Sequence, residues 1–438
     1  MSNFTASVVA LLLACVHGPA VLAGPQIEHW QTANGASVYF VAAPEIPMID
    51  VRIVFDAGSA RDGQQPGLAN LTNDLLLEGT TDLDADAFNR ELGRTGARLG
   101  SATARDMAYL NLRTLADPTY ATPALALLRA AVGQPRFEPA ALERVKARTM
   151  MALRHKAQSP AAIADDVFYA QLYPAHPYGS PTDGTPQSLP SLTHAEVVAF
   201  HARHYVARNA VIAIVGAIDR AAAETIAADL SAVLRAGEAA PDLPAVTVGP
   251  AHEERVEFPS IQSHVRVGLP GISRGDPDYF PLLVGNHALG GNSLVSMLFR
   301  EIRSNRGLSY SAYSYFMPMA EAGPFVAVLQ TDRSQEVEAL RVLRETIATF
   351  VADGPPTADL EAARQNLIGG FPLRVDSNDK IIEYIAMLGF YGLPLDYLDT
   401  FTERVASVTA AQVKDAFARR LTLDKLVTVV VGRTATDG

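Results

Sequence analysis

Cysteine is almost missing from this chain: of 438 residues, only Cys15 carries a thiol. A fold stapled by disulfides, a thiol nucleophile and a cysteine-ligated zinc are therefore excluded together. Basic runs are missing as well. Net charge is −11, and no stretch gathers Lys or Arg into a stripe, so the electrostatic footprint of a nucleic-acid binder is absent and no nucleic-acid partner is expected. The first residues, Met1 to Cys15, form an apolar run, but it is shorter than the roughly 18 apolar residues of a membrane span. Val21-Leu22-Ala23-Gly24 follows, with small or tolerated residues at cleavage positions, which reads as a signal peptide over 1–23 and an exported, periplasmic protein. The n-region lacks Lys and Arg, so an N-terminal helix of the fold is the competing reading. Leu12-Leu13-Ala14-Cys15 also resembles a lipoprotein cleavage box, which would leave an acylated Cys15 on a membrane.

What the chain has is enough apolar residues, 48%, to build two or more packed domains. The clearest organisational signal is an internal repeat. Residues 193–216 align without gaps on 409–432, with Thr193/Thr409, Val197/Val413, Arg203/Arg419, Val211/Val427, Val215/Val431 and Gly216/Gly432 in register. Each copy predicts a Thr N-cap, a short helix, a polar connection and a β-branched strand stopped by Gly. Between the copies, residues 236–250 are rich in Pro, Gly and Ala and without period, the composition of a linker. Each half also opens with strands, at 37–41 and 50–55 in the first and 264–268 in the second. Helical spacing follows, as at Leu340, Leu343, Ile347 and Phe350 before Gly354. The expected fold is α+β, two related halves at 24–235 and 251–438, each a mixed sheet covered by helices.

Two stretches carry chemistry. In the first, Phe55-Asp-Ala-Gly-Ser-Ala-Arg-Asp leads through Gly67-Leu-Ala-Asn70-Leu-Thr-Asn73-Asp74 to Gly79-Thr80. Helical spacing places Asn70, Asn73 and Asp74 on one face and Leu68, Leu71 and Leu75 on the other. This region resembles the pitrilysin/insulinase family of metallopeptidases, which includes mitochondrial processing peptidase and writes it A-G-S-x-x-(D/E)…G-(L/I)-A-H-x-x-E-H-x-x-x-x-G-T. In that family the two histidines bind zinc, the glutamate between them activates the metal-bound water, and a distant glutamate completes the site. The resemblance maps those positions onto Asn70, Asn73 and Asp74, with the distant ligand at Met150 or Met151. Asn is a poor zinc ligand and one carboxylate does not replace three strong donors, so no metal is expected on this chain. His194, His201 and His204, at i, i+7 and i+10 of one helix, form another candidate cluster, but no carboxylate accompanies them.

The second stretch, Gly285-Asn-His-Ala-Leu-Gly-Gly291 through Arg303 to Gly307-Leu-Ser-Tyr310, resembles the family's L-G-G-x…S-R-L-(F/Y)-x-x-(L/I)-R-x-x-x-G-L-x-Y. It predicts a Gly-Gly turn, an Asn292 or Ser293 cap, a helix carrying Leu294, Met297, Leu298 and Ile302, and a strand from Leu308. In the family an arginine and a tyrosine seven positions apart reach the zinc-bound substrate; they map onto Arg303 and Tyr310. A guanidinium holds a peptide carbonyl and a tyrosine hydroxyl stabilises the oxyanion that forms from it. The plain structural alternative is a helix-terminal Arg303 interacting with the helix dipole and an ordinary strand aromatic. Arg306 is a nearby basic residue with less fitting spacing. His176-Pro-Tyr-Gly-Ser-Pro-Thr-Asp-Gly-Thr185 and Tyr205…Asn209-Ala-Val also match family fragments, whereas Gly100-Ser101 stands where the family has N-A on a substrate-pairing edge strand. The resemblance implies a zinc-deficient subunit that acts in trans on peptide substrates at the zinc of a homologous H-x-x-E-H-bearing partner, in a heterodimer. A non-catalytic scaffold, as in the core subunits of respiratory complexes, and a peptide-binding clamshell are the alternatives.

Overall fold

The computed structural model describes residues 25–291 and 295–433; the signal peptide, Cys15, the expected cap at Asn292 or Ser293, and Leu294 lie outside them. Among the described residues, eleven strands build two sheets. The first contains β1 (Glu28–Gln31), β2 (Ser37–Ala42), β3 (Met48–Phe55), β4 (Arg98–Thr103), β5 (Ala108–Leu115) and β6 (Ala210–Gly216), in the order β1-β2-β6-β3-β5-β4. The second contains β7 (His252–Glu257), β8 (Gln262–Ile272), β9 (Ser309–Phe316), β10 (Gly323–Asp332) and β11 (Val427–Gly432), in the order β7-β11-β8-β10-β9.

The repeat seen in the sequence is a repeat of pairing. β6 runs parallel to β2 and antiparallel to β3, while β11 runs parallel to β7 and antiparallel to β8. Before each of these strands comes a helix, His194–His204 or Ala410–Arg420, and both open with a capping box, Thr193 with Glu196 and Thr409 with Gln412. Each box satisfies two backbone donors that a bare helix start would leave open. By this equivalence β9, which carries Tyr310, matches β4; both are edge strands.

The central strands of both sheets are buried on both faces, and the halves achieve this by exchanging a helix. Helix Pro160–Leu172, from the first half, sets Phe168 and Leu172 against Val427, Val429 and Val431 of the second sheet. Helix Asn378–Tyr391, from the second half, sets Ile382 and Ile385 against Val211, Ala213 and Val215 of the first. Gly389 permits this approach, because a Cβ there would lie 2.5 Å from the Tyr39 ring. An ion pair between Arg266 on β8 and Asp165 on the exchanged helix, at 2.6 Å, crosses the same junction. Residues 235–251 form neither helix nor strand. They are strapped to the first half by Ala240 N donating to Asn209 (3.0 Å), Arg61 donating to Pro241 O (2.7 Å) and the His176 ring at Pro244 O (2.8 Å).

Candidate functional site

Helix Leu68–Leu75 is held at its start by two glycines and one carboxylate. Gly67 precedes it in the left-handed region (φ 93°), and a Cβ there would lie 2.8 Å from Cα of Gly184, so the two motif fragments meet through glycines. Asp62 accepts hydrogen bonds from the backbone N–H of Gly67 (2.8 Å) and Ala69 (2.7 Å), satisfying donors at the helix terminus. Burial lifts its carboxyl to about 7, against the pull of those two bonds. Leu68, Leu71 and Leu75 face the core as expected.

Asn73 departs from the expectation that it shares an outer face with Asn70 and Asp74. It is 0% exposed, donates through Nδ2 to Ala102 O (2.9 Å) and Tyr109 O (3.4 Å), and accepts from the Tyr205 hydroxyl at 3.0 Å. An amide suits this place because it donates to strand carbonyls and accepts from a phenol at once. Asn70 and Asp74 are half-buried. Asp74 lies 3.5 Å from Arg148, which also reaches Glu78 at 3.0 Å, and Arg144 reaches Glu78 at 3.2 Å. Burial raises the Asp74 carboxyl above its usual range and Arg148 partly opposes that. Met150 and Met151 sit on the same helix as these arginines, Pro139–Lys156; Met150 packs against the core and Met151 is exposed.

At the second stretch the expected Gly-Gly turn is wound into a π-helical turn, His287–Gly291, and the expected helix carries a second one, Phe299–Ser304. The wider winding is visible where Asn305 N donates to Arg300 O at 2.9 Å, one residue further than an α-helix allows. Ile302 and Leu298 are buried as expected. The Arg303 guanidinium carbon lies 4.9 Å from the Phe299 ring centroid and 6.0 Å from that of Tyr310. The turn and the edge strand thus bring the two residues together. Tyr310 is 85% exposed. Arg306 is committed to Glu301, at 2.7 Å, whereas Arg303 has no ion pair among the described residues.

Comparison with known proteins matches residues 38–186 to "Insulinase (Peptidase family M16)" and residues 191–367 to "Peptidase M16 inactive domain". A crystal structure of a peptidase M16 inactive domain from Pseudomonas fluorescens is 38% identical, covers 94% of this chain and 99% of that one, and superposes with a TM-score of 0.91. The chain belongs to peptidase family M16. An uncharacterized zinc protease of Mycobacterium leprae is 26% identical over 91% of this chain and 90% of its own length. The non-peptidase homolog YmxG of Helicobacter pylori is 25% identical over 90% of each. A protease structure from the same organism, 17% identical over 93% of this chain and 99% of that one, has a TM-score of 0.83 and shares the fold.

The M16 zinc does not fit the residues present. Of the ligand positions, Asn70 offers only an amide, Asp74 faces a guanidinium and the third offers a thioether, and Asn73, at the position of the water-activating glutamate, is bonded to Ala102, Tyr109 and Tyr205. No group of three His, Cys, Asp or Glu suited to a metal occurs among the described residues. His201 and His204 do not form such a group: His201 meets Val132 O at 2.9 Å and stacks on Tyr205, while His204 packs on Phe200. Burial holds both rings down to about 4, so they are neutral at pH 7. Two participants escaped the sequence reading. Arg148 was signalled only by its spacing of four from Arg144 on one helix face. Tyr205 stood inside a recognised fragment, but nothing there tied it to Asn73.

Proposed function

We propose that this M16 chain is the metal-free subunit of an exported heterodimeric peptidase and lends Arg303 and Tyr310 to peptides bound at the zinc of a homologous H-x-x-E-H-bearing partner. The observation that carries this reading is the contrast between the two stretches. At the first, Asn73 at the position of the water-activating glutamate is bonded to Ala102, Tyr109 and Tyr205, Asp74 faces Arg148, and Met150 packs against the core. At the second, Arg303 and Tyr310 stand side by side and exposed, and among the described residues Arg303 has no ion pair and only the Phe299 and Tyr310 rings beside it. The Tyr310 hydroxyl donates to the oxyanion that forms when water attacks a peptide carbonyl, and Arg303 holds a neighbouring carbonyl.

Co-expression with a homologue that retains H-x-x-E-H tests the reading. The mixture is expected to cleave peptides and each chain alone to be silent, with zinc recovered only with the partner. Peptide cleavage or stoichiometric zinc on this chain by itself would overturn it. A stable complex whose cleavage is indifferent to Tyr310 would favour a scaffold instead.

A further inference from the structure

The second half holds a cavity of about 540 Å³ beside the end of β9, bordered by helix Tyr279–Asn286 and helix Thr357–Gly370. Leu282, Phe316 and Leu367 give it apolar walls, and Tyr279 adds an aromatic one. Arg274, His287 and Arg374 line it too, and among the described residues no Asp or Glu does. An apolar cavity of several hundred Å³ with a few polar groups converging on it is the ordinary form of a small-ligand site.

Its positive charge comes from Arg274 and Arg374, with no carboxylate in the lining among the described residues; the Arg274 guanidinium carbon lies 5.3 Å from the Tyr391 ring centroid, and burial pushes His287 towards its neutral form. Arg274 Nε and His287 Nε2 are buried with no hydrogen-bond partner; buried polar groups are normally paired, so each exception calls for a cause. Neither Arg274 nor Arg374 has an ion pair among the described residues. Arg274 also borders a cavity at the junction of the halves that contains Asp56 and Asp106. Those carboxylates are taken: Asp56 is held by Arg61 at 2.6 Å, and Asp106 accepts from Tyr178, Tyr391 and Ala320 N. A guanidinium is permanently charged and presents a planar fork that matches a carboxylate.

We propose that this cavity binds an organic carboxylate carried on an apolar or aromatic body, with its anionic head at Arg274 and Arg374 and its body against Tyr279, Leu282 and Phe316. The C-terminus of a peptide ending in an aromatic residue and a free arylalkanoate share this chemistry. The site needs neither a partner nor a metal, so it stands or falls separately from the action of Tyr310.

Titration calorimetry on the full chain tests it with three probes: 3-phenylpropionate, acetyl-Ala-Ala-Phe with a free carboxylate, and the same peptide as its C-terminal amide. Saturable binding of at least one carboxylate is expected, with the amide weaker by about tenfold or more. Arg274→Gln and Arg374→Gln should each weaken the carboxylate by about tenfold, while Tyr310→Phe leaves it unchanged. Arg374 is exposed at the rim, so its variant keeps the test valid if Arg274→Gln fails to fold. Tighter binding of the peptide assigns chain ends as the natural ligand, and tighter binding of 3-phenylpropionate assigns a free acid. Absence of saturable binding, an amide that binds as well as the acid, or arginine variants that bind normally would overturn the proposal.

Discussion

Asn73 donates twice and accepts once inside the protein, and the energetic consequence can be measured. Asn73→Ala leaves the Ala102 and Tyr109 carbonyls and the Tyr205 hydroxyl short of a partner, at a cost of about 1–3 kcal/mol for an unsatisfied buried group. Urea denaturation should register that loss, and a variant of unchanged stability would refute the network. The departures from H-x-x-E-H at Asn70, Asn73 and Asp74 stand in the sequence itself, at motif spacing. The new task of Asn73 was not legible there, because helical spacing assigns a residue to a face without saying which strand carbonyls lie opposite. The closeness of Arg303 and Tyr310 was legible for the opposite reason: turn, strand and glycine stand in family order, and guanidinium carbon and ring centroid lie 6.0 Å apart.

Among the elements, helix His194–His204 makes the clearest prediction. His201 and His204 are held by burial at about 4, below the ordinary 6.5 or so of an exposed imidazole. The unfolded chain therefore takes up protons that the folded chain refuses. The stability these groups contribute is fully present above about pH 6.5 and is lost as pH falls from there through about 4. Replacing His201 by Gln should flatten the decline of melting temperature across that window, and an unchanged slope would contradict the assignment. The capping boxes give a second check at this scale. Thr409→Ala removes the acceptor for Gln412 N and should cost about 1 kcal/mol, read as a lower denaturation midpoint with an unchanged slope. The caps were readable from Thr at the repeat start, whereas the π-helical turns around Arg303 were not: the run of Leu, Met and Ile there fits an ordinary helix, and only tertiary contacts select the wider winding.

At the scale of the whole molecule the two halves cannot be independent, since each completes the other's core. Phe168 is 1% exposed and belongs to the first half, yet it packs on strands of the second. Phe168→Ala should cost about 3–5 kcal/mol, and calorimetry should find one cooperative transition in the wild-type chain, not one for each half; two resolved transitions would argue against a shared core. The existence of two halves was written in the repeat of 193–216 at 409–432. The helix exchange was not, because an apolar face states that it needs a sheet and not which sheet. The result is a two-sheet frame that keeps β9, with Tyr310 on it, at an open edge. The most direct test of the partner-dependent reading is the turnover of peptide by the reconstituted pair carrying Tyr310→Phe. A fall of about 10²- to 10³-fold with assembly intact is predicted for a lost oxyanion donor, and full retained turnover would contradict it.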